Sequence, residues 1–315
     1  MNNTGFAIKD ILAPTNFSIQ ENPKRTLGYF KRLINIIERG KCDKVVFNMS
    51  NIKQVTIDAV TYLISLVHSI EVSKEIICSG NFPKQGSEPE RVLKESGYME
   101  VQGYPTPCIK PRRGPGFMIR MGEKVDPETL KSVLKFLQSG LNMNESSVSF
   151  LYELIGELMQ NTIDHAYNGY TSGQLQKKWY LYIQLKGSKA SFIFLDDGAG
   201  IPATINRTTS EKFLDVIFPL RRVTGQASDY IFSAMNGRGR SATKSLTRNK
   251  GLPQVYNYYK KGQISNMEIF SNKGRCLLTE DSYNKLYNRH VLHFPLRGTM
   301  FCWEFDKSNY KEAAG

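Results

Sequence analysis

The stretch LYELIGELMQNTIDHAY, residues 151 to 167, decides how the second half of the chain is read. Leu151, Leu154, Ile155, Leu158, Met159, Ile163 and Ala166 recur at intervals of three and four, the spacing of one apolar face of an amphipathic helix. Glu153, Glu157, Asn161 and His165 follow at intervals of four and stack along a second line of the same helix. A polar row of that kind is either plainly solvated or lines a site. The helix alone does not choose.

Outward from it, DPETLKSVLKFLQSG predicts a preceding helix, and WYLYIQLKG with KASFIFLDDGAGI predicts a β-hairpin centred on Gly187. A long polar region then runs to about residue 250. A helix over 252–261, a strand in SNMEIFSN and a last strand over 299–305 follow. Nearer the N-terminus, KVVFNM reads as a buried strand, the segment around Val60, Leu63, Ile64 and Val67 as a helix, and EIICSG as a second strand. With a further helix in EPERVLKESGYMEVQ, that order predicts an α/β unit. Four prolines and four glycines crowd the basic stretch between Gly103 and Lys124. The expected layout is therefore an α/β domain over 1–103, a linker over 104–124, a second domain over 125–306 and a tail over 307–315.

The chain has 315 residues, 40% hydrophobic and 23% charged, enough for a substantial core in an ordinary globular protein. No apolar run reaches membrane-spanning length, and MNNTGFAIKD has neither the basic start nor the apolar block of a secretory signal, so a cytoplasmic protein is expected. Cys42, Cys78, Cys108, Cys276 and Cys302 are scattered and form no CxxC pair, which speaks against a disulfide framework or a zinc site. The net charge of +13 calls for an anionic partner, whether nucleic acid, an acidic protein surface or a nucleotide. KPRRGPG and GRGRSATKSLTRNKG hold the local concentrations of basic residues. Both also fit solvated segments.

Three further features are individually weak. Asp197, in LDDGAGI, ends an apolar strand and opens into Gly198, Ala199 and Gly200, where a tight turn lets a ligand approach the backbone. Gly251 precedes a helix with Pro253 in its first turn, an arrangement that leaves N–H groups free for an anion. Gly298 and Thr299 open the last strand. Each is equally well an ordinary turn or helix start.

Taken in order, Glu157-x-x-x-Asn161, the Asp197 glycine turn, the glycine-rich region from Gly237 to Gly251, and Gly298-Thr299 resemble the GHKL or Bergerat-fold ATPases, the superfamily of gyrase, Hsp90, histidine kinases and MutL. The resemblance covers about residues 125–306 and implies a two-layer α/β sandwich that binds ATP and Mg²⁺. It implies that Asn161 ligates Mg²⁺ and that Glu157 orients or deprotonates the attacking water. Asp197 would accept a hydrogen bond from the adenine amine, with Thr299 in support, and Gly198, Gly200 and Ile201 would lie against the base or ribose. Asp164, His165, Gly239, Lys250, Gly251 and Leu252 complete the expected nucleotide contacts. Residues Gly225 to Lys250 look like a lid, although GRGRSATKSLTRNKGL departs from the compact glycine-rich pattern of many members.

The N-terminal VVFNMSNIKQVTIDAVTYLISLV resembles a STAS domain, with Asp58 at the acidic position. Ala59 stands where phosphorylated members carry Ser or Thr, so self-phosphorylation there is not expected. The combined expectation is a regulatory ATPase whose nucleotide-ordered lid switches contacts with an unidentified protein partner, with no membrane and with ATP-driven homodimerisation as in several relatives. Alternatives are an anti-sigma-type protein serine/threonine kinase, suggested by His165 and the STAS-like fold, and a nucleic-acid-associated ATPase, suggested by the charge.

Overall fold

A computed structural model describes residues 7–38, 42–74, 76–98, 116–164, 178–208, 227–237, 251–278 and 288–309. The protein is mixed α/β, with two parallel sheets and one antiparallel sheet among the described residues, and it divides into two compact units. The first comprises the described residues up to 98 and the second those from 116 onward.

In the first unit, β1 (Ile8–Leu12), β3 (Lys44–Asn48) and β5 (Ile77–Asn81) form a parallel sheet with β3 in the centre. The two-residue strands β2 (Asn16–Phe17) and β4 (Gln54–Val55) pair beside it. Helix α1 (Pro23–Glu38) buries Leu27, Phe30, Leu33 and Ile37, a stripe at helical spacing. Phe30 meets Tyr62 of α2 (Ile57–Lys74) edge to face at 4.8 Å and Phe17 at 5.4 Å, so aromatic packing joins both helices to β2. A short helix, α3 (Glu88–Glu95), is capped by Ser87, whose hydroxyl accepts from the Glu90 N–H.

Asp58 lies fully buried at the start of α2. Its carboxylate accepts from the N–H groups of Ile19 (3.0 Å), Gln20 (2.7 Å) and Ala59 (2.7 Å) and from the Thr56 hydroxyl. Burial pushes its pKa up, and the four hydrogen bonds oppose that shift. The side chain thus pins residues 19 and 20 to a helix N-terminus, whose dipole also favours a carboxylate.

In the second unit, β6 (Gly116–Gly122), β7 (Trp179–Lys186), β8 (Lys189–Asp196), β9 (Ser265–Leu278) and β10 (Asn288–Asp306) build an antiparallel sheet of order β6-β7-β8-β10-β9. The expected linker is therefore shorter than 104–124. Gly116–Gly122 is an edge strand, paired to β7 because FMIRM can extend an apolar sheet despite the flanking glycines. The tail also begins later, since a 3₁₀ turn over Lys307–Asn309 follows β10 and Lys307 Nζ donates to the carbonyls of Leu141 and Asn142, each at 2.8 Å.

Alternate strand residues, among them Leu181, Phe192, Phe194, Ile269, Phe301 and Phe305, share one apolar core with the helices of this unit. Trp303 stacks on its cross-strand partner Phe192 at 4.9 Å. The helices are α4 (Pro127–Leu141), α5 (Glu145–Asp164), α6 (Ile201–Thr208), α7 (Ala227–Met235) and α8 (Gly251–Lys260). Asp126 caps α4, and Asn142 ends it in the left-handed region at φ 50°. No described helix is long and apolar enough to cross a membrane.

Helix α7 lies within the segment expected as a lid. Residues 227–235 form a helix whose Ile231 and Met235, four apart, sit in the core, and 225, 226 and 238–250 of that segment lie outside the described residues.

Candidate functional site

Helix α5 carries the row that opened the reading. Its apolar side, including Leu151, Leu154, Ile155, Leu158 and Met159, is in the core. The polar row is turned toward α8 and is not simply wet. Tyr258 donates its hydroxyl to Glu153 at 2.7 Å and accepts from Gln254 at 3.2 Å. Burial, the Glu153 hydrogen bond and the charges of Glu153 and Glu157 together push the Tyr258 phenol up to about 12.

One turn beyond Glu157, the half-buried Asn161 meets Gly251 at the first position of α8. A Cβ on Gly251 would stand 2.8 Å from Asn161 Oδ1 and 3.1 Å from Nδ2, so glycine is what lets the Asn161 carboxamide lie against the start of α8. The Asn161 Nδ2 is buried and has no hydrogen-bond partner among the described residues. A native buried amide left in that state calls for an explanation, and a ligand is one. Beside it, the first N–H groups of α8 have no intrahelical acceptor by the geometry of a helix start. Leu252, the next residue, packs partly buried against the core. Asp164 ends α5 and is half-buried. His165, Gly239 and Lys250 lie outside the described residues, as do Arg238, Arg240, Lys244 and Arg248.

The second cluster lies where β8 runs into its glycine turn. Asp196 and Asp197 are both buried, but they have different company. Arg297 Nε is 3.0 Å from Asp197 Oδ1, close enough for an ion pair although not aligned for a hydrogen bond. Asp196 instead faces Thr299, its register partner across β8 and β10. Its carboxyl is held by the Gly198 N–H, 2.9 Å from Oδ1, and by the hydroxyl and N–H of Thr299. Burial, with the Asp197 charge adding to it against those hydrogen bonds, pushes Asp196 up to about 7.

Two glycines fix this turn. Gly200 has φ +83° and Gly298 has φ +81°, in the left-handed region that side chains rarely adopt. A Cβ on Gly298 would strike the Asp196 backbone, and one on Gly200 would lie 2.8 Å from Ser271 Oγ. Ser271, fully buried on β9, accepts from the Ile201 N–H at 2.8 Å, donates toward the Gly298 carbonyl at 3.1 Å, and lies 3.1 Å from Thr299 Oγ1. Ile201 is buried directly beneath this turn at the start of α6.

The structure thus brings Asn161 to Gly251, and Gly198, Gly200 and Ile201 to Thr299. It separates the environments of the two aspartates, of which only Asp197 was named from the sequence. A signal for Asp196 was present, because Asp196-x-Gly198-x-Gly200 is the arrangement with one residue between aspartate and first glycine. Ser271 had no such signal, since a serine in SNMEIFSN becomes informative only once the strands are paired. Among the described residues no three His, Cys, Asp or Glu side chains gather as a metal site, so a cation held at Asn161 would need oxygens from a bound ligand. In the first unit, Ala59 is fully buried beside Asp58. No model of a known protein family matches the chain, and no curated protein matches it.

Proposed function

We propose that the second unit is a Bergerat-type nucleotide-binding domain, that the first is STAS-like, and that the protein is a Mg·ATP-dependent regulatory ATPase. The observation that carries this reading is the meeting of Asn161 with Gly251: a buried Nδ2 with no hydrogen-bond partner among the described residues stands against a helix start, across ninety residues of sequence. That Nδ2 is a donor and, with the N–H groups of the helix start, suits phosphate oxygens, while the Oδ1 of the same carboxamide is the hard oxygen a cation would need.

In this reading the Asn161 carboxamide oxygen ligates the cation and the α8 N-terminus cradles phosphate. Bound Mg²⁺ would offset the phosphate charge as the terminal bond breaks. Glu157, one turn before Asn161 and half-buried, orients the water and accepts its proton. Asp196 takes the place first given to Asp197: its carboxyl, backed by Thr299, accepts from the exocyclic amine of adenine. Guanine carries a carbonyl at that position, so the acceptor discriminates against it. Gly200 keeps the turn open to the base, and Arg297 neutralises Asp197 nearby. The switch of partner contacts is assigned to the segment from Gly225 to Lys250 in this proposal.

The test is a time course with γ-labelled ATP and Mg²⁺ that separates free phosphate from protein-bound label. Wild type is expected to release phosphate, Glu157→Ala to bind nucleotide without turnover, and Asn161→Ala to lose Mg·ATP binding. Tight Mg·ATP binding by Asn161→Ala would remove the site assignment. Label on a protein hydroxyl would replace the ATPase by a kinase.

A further inference from the structure

We infer that Ser271, on the strand beside Thr299, is the positioning residue that makes this site an adenine site; the inference rests on the nucleotide-binding reading above. Ser271 Oγ touches three groups, the Ile201 N–H, the Gly298 carbonyl and the Thr299 hydroxyl, at 2.8, 3.1 and 3.1 Å. Each is tied to the Asp196 turn: Ile201 follows the glycines, Gly298 packs on the Asp196 backbone, and Thr299 is its cross-strand partner.

The proton positions follow from the Asp196 bond. Thr299 has one hydroxyl proton and gives it to the Asp196 carboxyl, so toward Ser271 it can only accept. The Ser271 hydroxyl, with one lone pair taken by the Ile201 N–H, then directs its own proton toward β10, shared between the Gly298 carbonyl and Thr299 Oγ1. Asp196 Oδ1 is engaged by the Gly198 N–H, and Thr299 fixes the remaining orientation of the carboxyl. The carboxyl therefore presents an acceptor in a set direction, which an exocyclic amine matches and a carbonyl does not. Without the Ser271 hydroxyl, Thr299 loses the neighbour that orients it and can rotate away. The buried Ile201 N–H loses its acceptor.

The experiment compares the affinities of the full chain for ATP and for inosine triphosphate, each with Mg²⁺, by titration calorimetry. The two ligands share ribose and phosphates and differ at the exocyclic position and the N1 proton. Wild type is expected to prefer ATP, and Ser271→Ala to narrow that preference by about 3- to 10-fold, the range of one net hydrogen bond. Thr299→Val narrows it at least as much, and adding Ser271→Ala to Thr299→Val narrows it no further, because the serine acts through the threonine. If Ser271→Ala does not fold, Ser271→Cys, a side chain of similar size with a weaker donor, takes its place. Equal loss of affinity for both triphosphates, or additive effects in the double variant, would mean a structural role only and overturn the inference. A wild type that prefers ATP while Ser271→Ala keeps the same preference sinks the inference and leaves the nucleotide reading standing. A wild type that binds neither triphosphate removes both.

Discussion

Substituting alanine at Gly298 tests the turn on which the second cluster depends. The residue has φ +81°, and its added Cβ would overlap the Asp196 carbonyl while standing 2.9 Å from the carbonyl carbon and 3.1 Å from the Asp197 Cα. The left-handed conformation alone costs an alanine about 1–2 kcal/mol. Overlap with backbone cannot be relieved by turning a side chain, and forced overpacking adds about 1–3 kcal/mol. The expected total is about 2–5 kcal/mol, against about 1–2 for Gly262→Ala, where φ is +68° but nothing lies within 4 Å of the new Cβ. The protein has only two tryptophans, Trp179 and Trp303, both buried in the second unit, so their fluorescence during urea unfolding reports on that unit. With a slope of about 2 kcal/mol per molar urea, Gly298→Ala should lower the midpoint by about 1–2.5 M and Gly262→Ala by at most about 1 M. Equal shifts for the two variants would show that the crowding around Gly298 has been misread.

Three further outcomes are expected. Asp196, held at about 7 in the fold against about 3.9 unfolded, keeps its proton in the native state where the unfolded chain has lost it. The ligand-free second unit should therefore lose stability as pH rises from 4 to 7 and level off above; Asp196→Asn should flatten that slope in tryptophan-monitored unfolding, and an unchanged slope would assign it elsewhere. Arg289→Ala removes the ion-pair partner that Asp229, buried in α7, finds on β10 and should cost about 3–5 kcal/mol, whereas pairing it with Asp229→Leu should recover much of the loss in the same assay. Asp58→Ala leaves three N–H groups of the first unit without their acceptor and should speed hydrogen exchange at Ile19 and Gln20 well before it affects the second unit.

Much of the fold was legible because period and punctuation agreed. The apolar stripe of α5, the hairpin around Gly187 and the proline after Gly251 all signalled their elements, and those elements formed. Helix α1 was missed although Leu27, Phe30, Leu33 and Ile37 carry the spacing. Strand β6 was hidden by the glycines and prolines beside it, and β9 and β10 ran past their expected ends because NKGR and RHVLHFP look broken in sequence yet are held by pairing to each other. That is tertiary context overriding local propensity. Within the site, Asn161 and Gly251 could be singled out from local pattern. The spacing Asp196-x-Gly198-x-Gly200 was there to be read but was passed over for Asp197, and the pairing of Asp196 with Thr299 brought it out; Ser271 only became visible as the far side of that same strand pair.

Strand β10 carries Thr299 with Asp196 as its register partner on one side and Ser271 on the other, just after an irregularity between Leu296 and Thr299. Three adjacent strands thus hold the polar groups of this end at one level. Strands β8 and β10 are interior, so moving Asp196 or Thr299 means unzipping the middle of the sheet, and Ser271 closes the group from the edge strand β9. The end that would read a base is accordingly assembled before any encounter, so recognition there would spend little ordering entropy, and association at that end should be limited by diffusion and orientation rather than by refolding. Slow, conformationally gated kinetics, where they occur, would then originate at the α8 side of the site.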